Sequence, residues 1–226
     1  MDLIGLYTRI FRPRPAIRDR ATLADFIDQQ SAFLVQKGIY EYSRARAGHY
    51  AKVLFSEQGF LDAVEISRWR AYPLGLAMVA ELTVGVLGKS AGLERRLVLD
   101  PLARVVLSIF DRYPTPEAVG EQVWSDARVE LVRRLQLIGL HPPKRAMDIP
   151  EPFADSYFAL MPIHEKLRGR DYPTTKNYLR ITLCNIHDEL TKRLEPEAMA
   201  HALGLGDAGA PSSAADGRAG PTQTEA

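Results

Sequence analysis

Apolar residues recur at steps of three and four along most of the first two hundred positions, a period that predicts helices. Thr22-Leu23-Ala24-Asp25 reads as a helix start, with the Thr22 hydroxyl placed to accept from the first turn. Leu23, Phe26, Ile27 and Leu34 follow on one face, and Gly38 is expected to end or bend that helix. Ile39, Tyr42, Ala45, His49 and Val53 give a second face, with His49 expected as a hydrogen-bonded core residue. A third stretch holds Phe60, Val64 and Arg68-Trp69-Arg70, and Pro73 is expected to interrupt it. Leu74 to Leu87 is almost wholly apolar, with Glu81 as its one charge. A helix apolar on every side belongs at the centre of a bundle.

Asp100-Pro101 predicts the next start, because aspartate accepts from free amides and proline suits the first helical position. Val105, Val106, Ile109 and Phe110 supply its buried side, and Thr115-Pro116-Glu117 repeats the start signal. Val119, Val123, Ala127, Leu131, Leu135 and Ile138 then form an amphipathic face closed by Gly139. Prolines at 142, 143, 150 and 152 make a loop, and a short helix is expected near 155–161. Pro162 and Gly169 mark turns. Thr174 and Thr175 are placed to cap a last long helix carrying Leu179, Leu183, Ile186, Leu190 and Leu194. No run of alternating β-branched residues competes with this period. The expected class is all-α: an N-terminal segment over 1–20, one multi-helix bundle over 21–203, and a disordered tail over 204–226. Glycine, alanine and polar residues dominate that tail, and a single leucine cannot offset its ordering entropy.

The 226-residue chain is long enough for a real core. Lys and Arg number 29 against 28 Asp and Glu, so no overall field draws it to nucleic acid. Cys184 is the only cysteine, which excludes an internal disulfide and fits a reducing compartment. No uninterrupted apolar run is read as membrane-spanning. The N-terminus opens on an acid, and Arg9 cuts short its apolar stretch, unlike an export signal. The expected location is therefore the cytoplasm, with the inner face of the membrane as a docking surface.

Gly88-Lys89-Ser90-Ala91-Gly92 is a literal G-x-S-x-G, the pattern of the strand-to-helix elbow that exposes a hydrolase serine. His141, His164, His187 or His201 would supply the base and Asp148 or Asp171 the acid. The elbow needs a strand before the serine, and the apolar run before Gly88 has helical character. The bland alternative is a helix that stops at Gly88 and turns before Leu93. The histidines fall into no metal-ligating pattern, and no cofactor is expected. Glu81 must pair, protonate or face a cavity. Arg44, Arg68 and Arg104 are the candidate partners, and a polar handle inside a ligand pocket is the alternative.

Helical spacing gathers Leu3, Leu6, Tyr7 and Ile10 on one side of the N-terminus, with Arg9 and Arg12 opposite. Such a segment suits an anionic membrane surface, a partner's groove, or the protein's own bundle. Arg68-Trp69-Arg70 mixes charge and aromatic surface in a way that suits an acidic protein partner.

Three blocks carry a family resemblance: Glu41-Tyr42-Ser43-Arg44-Ala45-Arg46-Ala47-Gly48, Ser67-Arg68-Trp69-Arg70-Ala71-Tyr72-Pro73 and Pro162-Ile163-His164-Glu165-Lys166-Leu167-Arg168. They resemble a family of uncharacterised all-helical bacterial proteins, some of which carry an automatic "esterase" label. The resemblance spans most of residues 9–195. It implies a helical fold and brings no established activity, substrate or catalytic residue. The residues themselves lead to a non-catalytic interaction or adaptor protein. A serine hydrolase using Ser90 is the alternative, and a lipid or small-hydrophobe carrier with Glu81 at its pocket is the third reading.

Overall fold

The computed structural model describes residues 15–205. Its helices in chain order are α1 (Arg20–Ala47), α2 (Ala51–Leu54), α3 (Gln58–Ser90), α4 (Arg95–Phe110) and α5 (Glu121–Ile138), then α6 (Ala154–Ala159), α7 (Glu165–Arg168), α8 (Tyr172–Arg193) and α9 (Pro196–Ala202). The fold is all-α. Among the described residues the only β-type pairing is one bridge, Ile17 with Leu194. There Ile17 N–H donates to Arg193 O at 2.8 Å and Glu195 N–H to Ile17 O at 3.0 Å, tying the entry of the chain to the end of α8.

Helix α3 is the axis. Every residue from Ala71 to Val84 is buried, and α1, α4, α5 and α8 pack around it. By length and composition it could cross a membrane, although Glu81 interrupts its apolar run. Protein covers 94% of its most apolar window, so its hydrophobicity is used within the bundle. Pro73 does not interrupt it. A proline inside a helix costs about 3 kcal/mol. Burial of both flanking turns, at about 1.5–3 kcal/mol for each large apolar side chain, exceeds that cost.

Other expected boundaries also move. Helix α1 starts after Asp19, whose carboxylate accepts from Thr22 N–H at 2.8 Å while the Thr22 hydroxyl accepts from Asp19 N–H at 3.2 Å. Thr22 is thus the third residue of a capping box and not the cap. Gly38 does not end α1, which runs on to Ala47. An added Cβ there would overlap Tyr157 Oη and lie 2.5 Å from Tyr178 Cε1, so this glycine lets two tyrosines close over the helix. His49 lies outside the core, exposed after the helix ends, with its ring 4.1 Å from that of Tyr50. Helix α4 begins five residues before Asp100, so Pro101 sits inside it. Thr115-Pro116-Glu117 belongs to the turn before α5, which starts after Gly120 at φ 81°. Helix α8 starts at Tyr172, two residues before Thr174.

The expected buried face of α8 is observed at Leu179, Leu183, Ile186 and Leu190, and the second half of the α5 face at Leu131, Leu135 and Ile138; in its first half Val119 precedes the helix, Val123 is exposed and Trp124 is buried instead. Leu203 and Leu205 are also buried, so the packed unit runs slightly past 203.

Candidate functional site

Four segments enclose a cleft of about 890 Å³: the last third of α3, the turn from α3 into α4, the loop over 143–149, and α8 through His187 and Thr191. Leu82, Val86, Leu93 and Ile149 give it apolar walls. Glu81 lines it from the start of that last third of α3 and is only 4% exposed.

The partner of Glu81 is not one of the expected arginines. Lys144 Nζ lies 3.0 Å from Glu81 Oε1, and His141 Nε2 lies 3.6 Å from the same atom. The lysine contact has the distance and charge of an ion pair but lacks hydrogen-bond alignment, so Oε1 accepts no directed bond. Both side chains come from the proline-rich segment after α5. Prolines fix φ at 142 and 143, which limits the segment's freedom. Arg95 Nη1 donates to His141 O at 2.7 Å, Arg180 Nε donates to Met147 O at 3.1 Å, and Ile149 is buried. The wall bearing Lys144 is therefore anchored before any ligand arrives. Arg95 is held partly out of water, and that burial pulls its guanidinium below the ordinary arginine range against the opposing charge of Glu81.

The glycines of α3 divide by what lies above them. A Cβ on Gly75 would stand 2.9 Å from Ser31 O, so α1 and α3 touch there through backbone. A Cβ on Gly88 would stand 3.3 Å from Leu93 O. Above Gly85, which lines the cleft, there is nothing within 4 Å. Glycine in a helix interior is about 1 kcal/mol worse than alanine. No packing constraint in the fold accounts for it at 85. Its effect is to leave the backbone of α3 bare toward the cleft.

The G-x-S-x-G pattern is a helix end. Helix α3 runs through Ser90, two residues beyond the expected stop, and Gly92 takes φ 64°. Leu93 N–H then returns to Gly88 O at 2.9 Å, the long bond of a Schellman cap. Its glycines thus have structural work: Gly92 adopts the left-handed conformation and Gly88 admits the returning chain. Ser90 is exposed at the rim of the cleft and is not on a strand-to-helix elbow. His187 lines the same cleft with Nδ1 3.2 Å from Asp188 Oδ1, but Ser90 makes no hydrogen bond to a histidine among the described residues.

The other expected site residues are scattered. Leu3, Leu6, Tyr7, Arg9, Ile10 and Arg12 lie outside the described residues. Trp69 is half-buried and packs edge-on against Tyr72, Tyr113 and Trp124 at 5.5–6.2 Å. Below it the hydroxyls of Tyr72 and Tyr113 both donate to Asp28, at 2.6 and 2.9 Å. Arg68 is half-buried and Arg70 exposed, so the string shows solvent more charge than aromatic surface. No group of metal-ligating side chains occurs among the described residues. Sequence reasoning singled out Glu81 and Ser90 but missed Lys144 and Gly85, and it weighed His141 as a base for Ser90 where the structure places it beside Glu81. An isolated glycine in an otherwise apolar helix was the available signal for Gly85.

Compared with protein-family models, with curated proteins and with solved structures, the chain matches none. Any functional reading therefore rests on the cleft.

Proposed function

We propose that this chain is a non-enzymatic binding protein whose cleft between α3 and α8 holds a small, largely apolar molecule. The observation that carries the reading is Gly85, bare over open space one helical turn from the buried Glu81–Lys144 pair. A volume of about 890 Å³ falls in the range of small-molecule sites, as do mainly apolar walls with a few fixed polar groups. The expected adaptor role has less support. Its N-terminal half lies outside the described residues, and its Trp69 is partly taken up by an aromatic cluster. The hydrolase alternative lacks both the elbow and a bonded base at Ser90.

The test uses Nile red, a neutral dye that brightens in apolar surroundings. The full chain is expected to bind one equivalent. Gly85→Trp fills the cleft and is expected to abolish the signal while keeping the helical circular-dichroism spectrum. Undiminished binding by a folded Gly85→Trp variant, or no binding by the native chain, overturns the proposal.

A further inference from the structure

The polar groups of the cleft carry more positive than negative charge. Lys89, Arg95, Lys144 and Arg145 line it, against Glu81. Two of these cations already have carboxylate partners: Lys144 has Glu81 at 3.0 Å, and Arg145 has Asp148 at 2.6 Å. Among the described residues no carboxylate lies within ion-pair distance of Lys89 or Arg95. Arg95 has a second deficit. Its Nη1 donates to a carbonyl, but its Nε is buried and donates to nothing. Buried donors normally find an acceptor, so the protein leaves this cleft-lining guanidinium short of acceptors. Lys89 and Arg95 flank the Schellman turn at one end of the cleft, with Leu82, Val86 and Ile149 also on its wall.

We propose that the molecule held in this cleft is an amphipathic monoanion, with its head group on Arg95 and Lys89 and its apolar body along Leu82, Val86, Leu93 and Ile149. The inference rests on the cleft being a binding site, as argued above. Glu81 does not oppose it, because Lys144 and His141 stand over its Oε1. The same pair works as a selectivity element. A cationic head would meet two uncompensated cations at one end and a carboxylate already engaged with lysine at the other.

The experiment displaces Nile red from the full chain with three twelve-carbon probes held below their micellar concentrations: dodecanoate, dodecanol and dodecyltrimethylammonium. Dodecanoate is expected to bind at least tenfold more tightly than dodecanol, and the ammonium most weakly. Arg95→Met is expected to remove most of the advantage of dodecanoate over dodecanol, read as the ratio of the two affinities because Arg95 also anchors the cleft wall. Lys89→Gln, at an exposed helix end where folding is not at stake, is expected to remove a smaller part. Equal binding of the three probes, or preference for the ammonium, overturns the anion proposal and leaves the binding reading standing. Failure of Nile red and all three probes to bind overturns both.

Discussion

Removing Lys144 should harm the protein far more than removing the carboxylate it faces. At 3.0 Å and an effective dielectric of about 20, the attraction between Lys144 and Glu81 is about 5–6 kcal/mol before desolvation is subtracted. Their exposures differ: the Glu81 side chain is 4% accessible and that of Lys144 is 26%. In Lys144→Met the carboxylate stays enclosed in an apolar helix, with the His141 ring nitrogen 3.6 Å away. Breaking a buried pair in this way costs about 3–5 kcal/mol, and the partial exposure of Lys144 places the expected loss near 3 kcal/mol. In Glu81→Met the lysine can turn to water, and α3 gains an apolar residue among apolar neighbours. The expected change is between zero and a gain of about 1 kcal/mol. The double variant should resemble Glu81→Met, which gives a coupling of about 3 kcal/mol. Urea unfolding at pH 7, with midpoints and slopes compared across the cycle, measures all four corners. If Glu81→Met is as damaging as Lys144→Met, the carboxylate is itself a structural requirement and the asymmetry argued from burial is wrong. A Lys144→Met variant within about 0.5 kcal/mol of native would show that the pair carries no stability.

Three further outcomes follow from particular contacts. Gly85→Ala should stabilise the fold by about 0.5–1 kcal/mol through helix propensity, whereas Gly38→Ala should destabilise it by about 1–3 kcal/mol because its methyl meets two tyrosine rings; thermal unfolding of both separates open space from close packing. Burial, reinforced by the Asp171 carboxylate at the Tyr42 hydroxyl, pushes Tyr42 up to about 12, and burial, opposed by a hydrogen bond with Thr182 and aided by the Glu41 charge, pushes Tyr178 to about the same value. Above pH 10 the unfolded chain releases protons that the native one keeps, so stability should hold up to about pH 10 and fall between 10 and 12; urea midpoints tracked with tyrosinate absorbance at 295 nm check this, and a flat profile contradicts it. A fluorophosphonate probe should leave Ser90 unmodified, as read by comparing native and Ser90→Ala protein by mass spectrometry; labelling lost in the variant would restore the hydrolase alternative.

The helical class and the central helix were legible because a period of 3.6 and an unbroken apolar run are local properties of the chain. Buried faces were read more reliably than ends. Pro73 looks like a break and Pro101 like the first turn of a helix, yet tertiary burial carries both helices through them. Gly38 has the same appearance as a terminator, and only the distant Tyr157 and Tyr178 reveal it as a point of close approach. Glu81 was recognisable as a carboxylate needing a partner, but its partner arrives from a loop more than sixty residues away, and no spacing rule reaches that far. Ser90 illustrates the converse. The pattern around it matches a catalytic elbow, while Gly92 followed by apolar Leu93 matches a Schellman cap, and helical context selects the second.

The most direct measurement of the central claim is a ¹H–¹⁵N correlation spectrum of the full chain, titrated with dodecanoate and separately with dodecanol. Saturable shifts should concentrate on Gly85, Lys89, Leu93, Arg95 and Lys144, leaving Asp28 and Tyr113 on the aromatic side of the bundle unmoved. Shifts centred on any other surface, or none with either probe, would contradict the account.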